Sequence, residues 1–275
     1  MNHFNNIQII AQTIDYFENE LKKRLHIITT MPITIISIEG NIGSGKSTLL
    51  EILRKEFNTT SRVVFLKEPV DIWSTITDSN GVTMLQKFYE DQSKYAFSFQ
   101  IMAYISRLSL LKKSIKTNPD ATIITERSLH TDRMVFAKML RESNLIEDVN
   151  YQIYLKWFDE FLEECPLHKI IYVKADPTIC HGRVEKRSRE GENNISLGYL
   201  ENCHEYHERM MTDLPDIPKL VLDGNNDIFD EESRIVDSWV ASIREFIPAH
   251  KHAQDNMHKY MNIKLFSSDV FGFGL

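Results

Sequence analysis

Five short apolar runs punctuate the chain: 33–38 (ITIISI), 62–66 (RVVFL), 121–125 (ATIIT), 169–173 (KIIYV) and 219–222 (KLVL). Their apolar residues come in unbroken runs rather than in alternation, the pattern of strands covered on both faces. The intervening stretches 46–57, about 83–116, 133–142, 151–163, 177–190, 197–213 and 231–246 carry apolar residues at helical spacing. Strands alternating with helices predict a doubly wound α/β fold with a parallel sheet between helical layers. No internal repeat or low-complexity tract interrupts the series.

The ends read differently. Ile7, Ile10, Ile14, Phe17, Leu21 and Leu25 form a helical stripe, so residues 1–30 are expected to be a helical extension. Residues 31–248 hold the α/β pattern, and 249–275, beyond Pro248, are expected to be a tail.

Composition narrows the class. No apolar run approaches the roughly 18–20 residues needed to span a bilayer, so no membrane association is expected. A formal net charge of −7 argues against general nucleic-acid binding, which needs a basic footprint. Three cysteines (Cys165, Cys180, Cys203) form no CxxC pair and leave one over, which favours a reducing compartment. The first thirty residues lack a secretory apolar core and carry Asp15, Glu18 and Glu20. The default expectation is therefore a cytoplasmic address, with a mitochondrial one left open.

The sharpest motif is ISIEGNIGSGKSTLL, which fits G-x-x-x-x-G-K-[ST] with Gly40, Gly45, Lys46 and Ser47, and a further glycine at Gly43. It follows an apolar strand and opens a helix, the context a phosphate-binding loop requires. Glycines allow close backbone approach, and the N–H groups of Gly40, Asn41, Ile42, Gly43, Ser44, Gly45, Lys46, Ser47 and Thr48 are candidates to cradle phosphates. Lys46 is expected to bridge the β- and γ-phosphates, and Ser47 to hold Mg²⁺.

Three constellations address the acceptor. Glu68-Pro69 closes the second strand, and in an open α/β sheet the strand ends face the ligand crevice. ITERSLHTDR (124–133) delivers Glu126, Arg127 and Asp132 to the same rim. Within the helix-patterned stretch 88–111, Tyr89, Phe99, Gln100 and Arg107 recur, and Gln100 and Arg107 are two turns apart on one face.

Together, IEGNIGSGKST, EPVDIW, FYE…FQ…SR, ERSLHTDR and RVEKRSREGE resemble the cellular deoxynucleoside kinases, above all the deoxycytidine/deoxyguanosine kinase branch, over about residues 33–247. The resemblance implies a P-loop three-layer fold with a five-stranded parallel sheet flanked by helices and an arginine-rich lid. It also implies a homodimer, and transfer of the γ-phosphoryl of ATP or another nucleoside triphosphate, with Mg²⁺, to a deoxynucleoside 5′-hydroxyl. Carried over by position, Glu68 would take the hydroxyl proton. Arg127 would neighbour the travelling phosphoryl, with Lys46 completing the catalytic set. Glu126 would join Ser47 at the metal. Tyr89 and Glu192 would bind the sugar 3′-hydroxyl. Gln100 would pair with the base edge beside Arg107 and Asp132, while Trp73, Phe99 and Phe136 wall the base. Arg183, Arg187 and Arg189 would belong to the lid. The chain departs from the family pattern at His130 and Thr131, and the loop 223–232 matches only loosely.

Asp132, if ionised, only accepts hydrogen bonds and Arg107 only donates, a pair suited to the exocyclic amine and ring acceptor of cytosine or adenine. The expected substrate is deoxycytidine or a purine deoxynucleoside rather than thymidine. One alternative is a nucleoside monophosphate kinase of the thymidylate kinase kind; its acceptor phosphate is largely dianionic at neutral pH and would be repelled by Glu68. Another is a P-loop NTPase switch module, which needs no aromatic acceptor pocket. A zinc site from Cys203, His204 and His207 lacks a fourth ligand, and an exposed helix face accounts better for that run.

Overall fold

The five apolar runs become five strands, the three central ones largely buried and the edge strands partly exposed. In the computed structural model, which describes residues 33–57, 62–187, 189, 192, 195–226 and 234–247, they are β1 (Thr34–Glu39), β2 (Val63–Leu66), β3 (Thr122–Glu126), β4 (Lys169–Lys174) and β5 (Lys219–Asp223). They form one all-parallel sheet in the order β2-β3-β1-β4-β5. The registers Ile36↔Ile124, Ile38↔Ile171 and Ile171↔Leu220 align the isoleucine-rich centres. The stripe at 7–27, the tail 249–275 and most of the loop 223–232 lie outside the described residues. Ile33–Ile247 cluster as a compact unit.

Side-chain alternation divides the core. Ile36, Ile38, Ile124, Ile171 and Val173 face Leu49, Leu50 and Leu53 of α1 (Lys46–Glu56). Farther along the chain, α7 (Pro177–Arg187), α8 (Leu197–Asp213) and α9 (Ile235–Phe246) follow, and α9 packs Trp239 and Ile243 on that same face. Ile35 and Ile123 point the other way. They meet Tyr104 and Leu108 of α4 (Gln92–Thr117), and Tyr154 and Phe158 of α6 (Asp148–Leu162). Such two-sided cover is what a parallel sheet requires.

The helical pattern over 83–116 resolves into two helices, α3 (Met84–Glu90) and α4, broken at Asp91. The cause is local: the Asp91 carboxylate caps α4 by accepting from the Lys94 amide, and the Asp91 backbone leaves the helical region. Thr83 and Gln86 start α3 with a reciprocal capping box. A single turn, α2 (Val70–Trp73), follows Pro69. After β3, Leu129–Thr131, Asp132–Ala137 and Lys138–Glu142 run on without a break as α5, the middle stretch π-helical. A third apolar cluster joins Trp73 of α2, Phe88 of α3, Phe99 of α4, Val135 and Met139 of α5, and Met210 of α8 beyond the strand ends.

Ile124, with none of its surface exposed, occupies the middle of β3, whereas Val221 on the edge strand β5 is 57% exposed. Ile124→Ala should lower the unfolding free energy by about 2–5 kcal/mol. Val221→Ala should shift it by no more than about 0.5 kcal/mol in the same urea titration.

Candidate active site

The loop after β1 turns sharply where glycine alone fits. Gly40 adopts φ 142°, and a Cβ there would meet the Val173 carbonyl at 2.4 Å; one on Gly43 would meet the Cys180 carbonyl at 2.4 Å. Gly45 starts α1 without a side-chain cap and no acidic residue follows in the first turn, so the helix end keeps its positive character for an anion. The buried Lys46 ammonium donates to the Asn41 carbonyl at 2.6 Å. Burial, and then the charge of Arg127, draw it down to about 7.

A cavity of about 470 Å³ runs from this loop to the aromatic cluster. Ile42, Gly43, Ser44, Gly45, Lys46, Ser47 and Thr48 line one part; Gly40 and Asn41 lie behind it. The Asn41 side chain bonds to the Leu200 carbonyl and the Ile42 amide, bracing the loop from α8. Trp73, Phe99, Phe136, Tyr89 and Gln100 line the other part. Phe88 stacks on Phe99 with ring centres 4.5 Å apart, and Trp73 meets Phe99 edge-on at 5.5 Å. Gln100 is buried, and its Oε1 has no protein partner among the described residues.

Charged groups mark the junction. Arg107 reaches from α4 to donate through Nε to Asp132 Oδ2 at 2.9 Å, through Nη1 to the Glu126 carbonyl at 2.7 Å, and through Nη2 to Glu68 Oε1 at 3.0 Å. Arg127 Nη1 lies 3.1 Å from both Glu68 oxygens. Burial alone would favour a neutral Glu68, but Arg127, Arg107 and Lys46 outweigh it and hold the carboxyl at about 2. Arg107 is therefore a clamp on two carboxylates. Burial raises the Asp132 carboxyl, and the Arg107 guanidinium opposes that shift.

Arg127 turns at φ 60°, a conformation that costs a non-glycine residue on the order of 1 kcal/mol. Its amide bonds to the Ile38 carbonyl and its guanidinium stacks 5.2 Å from the Phe136 ring. Its Nε and Nη2 are buried with no protein partner among the described residues. The Ser47 hydroxyl donates to Glu126 Oε1 at 2.5 Å, placing two hard oxygen donors together beside the loop.

On the far rim, Arg183 donates to the Gly224 and Asn226 carbonyls at 2.7 and 2.9 Å. Arg187 and Arg189 both pair with buried Glu192. All four line the cavity with Tyr89. Phe88, Ala103, Tyr199 and Trp239 line it as well, and sequence reasoning had not singled them out. Phe88 adjoins Tyr89 in the sequence and could have been found as its partner; Tyr199 and Trp239 lie on helices whose apolar stripes read as ordinary core.

The run holding Cys203, His204 and His207 is not the exposed helix face its sequence suggests: Cys203 and His207 are both buried, Cys203 against Met139 and His207 with Nδ1 bonded to the Cys203 carbonyl. Among the described residues no cluster of three His, Cys, Asp or Glu could hold a metal. His130 is a partly exposed neighbour of Phe158, while Thr131 is buried and donates to Glu39.

A P-loop beneath an all-parallel sheet, facing an aromatic chamber across a carboxylate, defines a P-loop kinase of small acceptors. The chain belongs to the deoxynucleoside kinase family, whose profile, described as deoxynucleoside kinase, matches residues 36–248. It is 34% identical over 220 residues to the Fowlpox virus protein named probable deoxycytidine kinase, covering 77% of this chain and 87% of that one. Human deoxycytidine kinase is 34% identical over 241 residues, covering 77% and 90% of the two chains. Mitochondrial deoxyguanosine kinase of Xenopus laevis is 28% identical over 264 residues, covering 86% and 98%. The protein is thus a deoxynucleoside kinase, a transferase that uses a nucleotide as phosphate donor. Among the described residues no helix is long and apolar enough to cross a membrane.

His207 gives the site's surroundings a pH signature. Its ring stacks on Tyr172 and meets Phe136 edge-on. Burial, then the charge of Arg127, lower it from 6.5 to about 3. Between those values the unfolded chain binds a proton that the folded chain refuses, so stability rises with pH. The contribution is complete above about 6.5 and is lost as pH falls towards about 3. His207→Asn should flatten the decline in unfolding free energy between pH 6.5 and 5 by about 2 kcal/mol in urea titrations. An unchanged slope would assign the decline to other groups.

Proposed function

We propose that the enzyme transfers the γ-phosphoryl of ATP, or another nucleoside triphosphate, to the 5′-hydroxyl of deoxycytidine or a purine deoxynucleoside. The observation that carries this reading is Glu68, fixed by Arg107 and Arg127 between the phosphate loop and the aromatic chamber. The hydroxyl oxygen attacks the γ-phosphorus, the bond to the β-bridging oxygen breaks, and the hydroxyl proton passes to Glu68. Such a placed base contributes roughly 10²–10⁴-fold.

A carboxylate held near 2 is a weak base, and donor binding answers this. Arg127 has two unpartnered donors, Nε and Nη2, to offer phosphoryl oxygens. As its charge is shared with them, the hold on Glu68 weakens and its basicity rises. Lys46 leaves the Asn41 carbonyl for the β- and γ-phosphates, and their charge restores its ammonium.

Ser47 and Glu126 fit Mg²⁺, which takes few protein oxygens and fills its other positions with water and phosphate. The ion would neutralise charge on the β- and γ-oxygens. Tyr89 and Glu192 are assigned to the 3′-hydroxyl. Sugar binding at Glu192 would then loosen Arg187 and Arg189 towards the donor, joining Arg183 as the lid. Gln100 Oε1 accepts from the base, and Asp132 keeps a lone pair on each oxygen for an exocyclic amine.

Two broader assignments accompany the chemistry. Val149, Ile153 and Trp157 recur at four-residue spacing on α6, exposed at 58, 43 and 54%, beside exposed Ile105 on neighbouring α4. They suit a homodimer of this chain, with the described termini at Ile33 and Ile247 belonging to the kinase domain. Three free, buried cysteines suit a reducing compartment such as the cytoplasm.

A coupled assay with each nucleoside in turn should give turnover that depends on the nucleoside, with kcat/KM for deoxycytidine or a purine deoxynucleoside above that for thymidine. Lys46→Ala should abolish it, and Glu68→Gln should cut kcat about 10²-fold or more. Thymidine as best substrate would overturn the role given to Asp132. Trp157→Glu should shift the sedimentation coefficient from dimer to monomer while secondary structure is retained.

A further inference from the structure

We infer that Ser106 is a positioning residue that sets the plane of the Trp73 wall and thereby the seating of the nucleoside base; this rests on the acceptor-chamber reading above. Ser106 does not itself line the cavity. Its hydroxyl does two things at once. It accepts from the Trp73 indole N–H at 2.8 Å and donates to the Ala103 carbonyl one turn back at 3.0 Å. An indole N–H is donor only, and Trp73 is 5% exposed, so the ring needs an acceptor on the protein. The Ser106 hydroxyl is the acceptor that the structure gives this N–H, and its own O–H donates to the Ala103 carbonyl.

Position gives this bond its consequence. Trp73 ends α2, a single turn that begins immediately after Glu68-Pro69. A four-residue helix has little stability of its own, so its geometry is set by what it docks against. The Ser106 bond fixes the indole on α4, edge-on to Phe99, which in turn stacks on Phe88. Without it the indole can pivot, and the wall that Trp73 and Phe99 form together along the cavity changes shape. Glu68 keeps its separate anchor on Arg107 and Arg127, so the chemical step is spared.

Ser106→Ala should therefore raise the nucleoside KM about two- to tenfold, the range a single neutral hydrogen bond covers. It should leave kcat within about twofold and the donor KM unchanged. Ser106→Thr, which retains the hydroxyl, should restore the nucleoside KM. In a Trp73→Phe background, where no indole N–H exists, Ser106→Ala should have no further effect. Support is a non-additive cycle with rescue by threonine. The inference is overturned if Ser106→Ala acts equally in both backgrounds, if kcat falls in step with KM, or if nothing changes. Failure of the wild-type enzyme to respond to any nucleoside would instead overturn the chamber reading itself.

Discussion

The active site is organised around one guanidinium. Arg107 lies at the centre of four elements: it is carried by α4, grips Glu68 beyond β2, the Glu126 carbonyl at the end of β3, and Asp132 at the start of the π-helical stretch of α5. Planarity makes this possible, because a guanidinium presents its donors in fixed directions and a lysine would not. The strand ends of a parallel sheet converge on a crevice, but convergence alone does not set side-chain geometry. The fork converts four loosely related chain segments into one rigid constellation. Buried charge pairs of this kind seldom add net stability, so their value here lies in position.

The same economy explains the unpaired groups. Arg127 is buried, adopts a left-handed backbone and leaves Nε and Nη2 without protein partners among the described residues. Each of those is a cost in a folded protein. They are understandable if phosphoryl oxygens complete the set, since preorganised donors aimed at developing charge are the main resource of phosphoryl transfer. Lys46 shows the complementary behaviour: its ammonium, weakened by burial, rests on a loop carbonyl. The loop is shaped for a polyanion, and its own residues substitute only in part.

Much of this was legible beforehand because it rests on local rules. The five strands were readable as apolar runs and the loop glycines as a phosphate-loop motif, whereas the collisions of a Cβ with β4 or α7 follow from the fold. The break at Asp91 was missed because the apolar periodicity runs through it, while capping depends on one carboxylate reaching one amide. Arg107 was placed on the correct helix face, yet its three-way clamp was not visible. That clamp depends on the β2–β3 register and on the π-helical start of α5, which are tertiary facts. Tyr199 and Trp239 were hidden for a different reason: aromatic residues in apolar stripes look alike whether they face a core or a cavity.

Charge balance finally bears on why the acceptor is an alcohol. At the junction two carboxylates, Glu68 and Asp132, balance two guanidinium groups, Arg107 and Arg127, in a network that is buried except at partly exposed Glu68. Arg107 has already committed its donors to the carboxylates and a backbone carbonyl. A nucleoside leaves this balance undisturbed. A nucleoside monophosphate would bring close to two further negative charges near Glu68, where Arg127 Nε and Nη2 are buried donors without a protein partner among the described residues. At the effective dielectric of a partly buried site, a single like-charge contact at 4 Å costs about 4 kcal/mol. With Glu68 in the role proposed above, the junction would select a neutral hydroxyl by electrostatics as well as by supplying it with a proton acceptor.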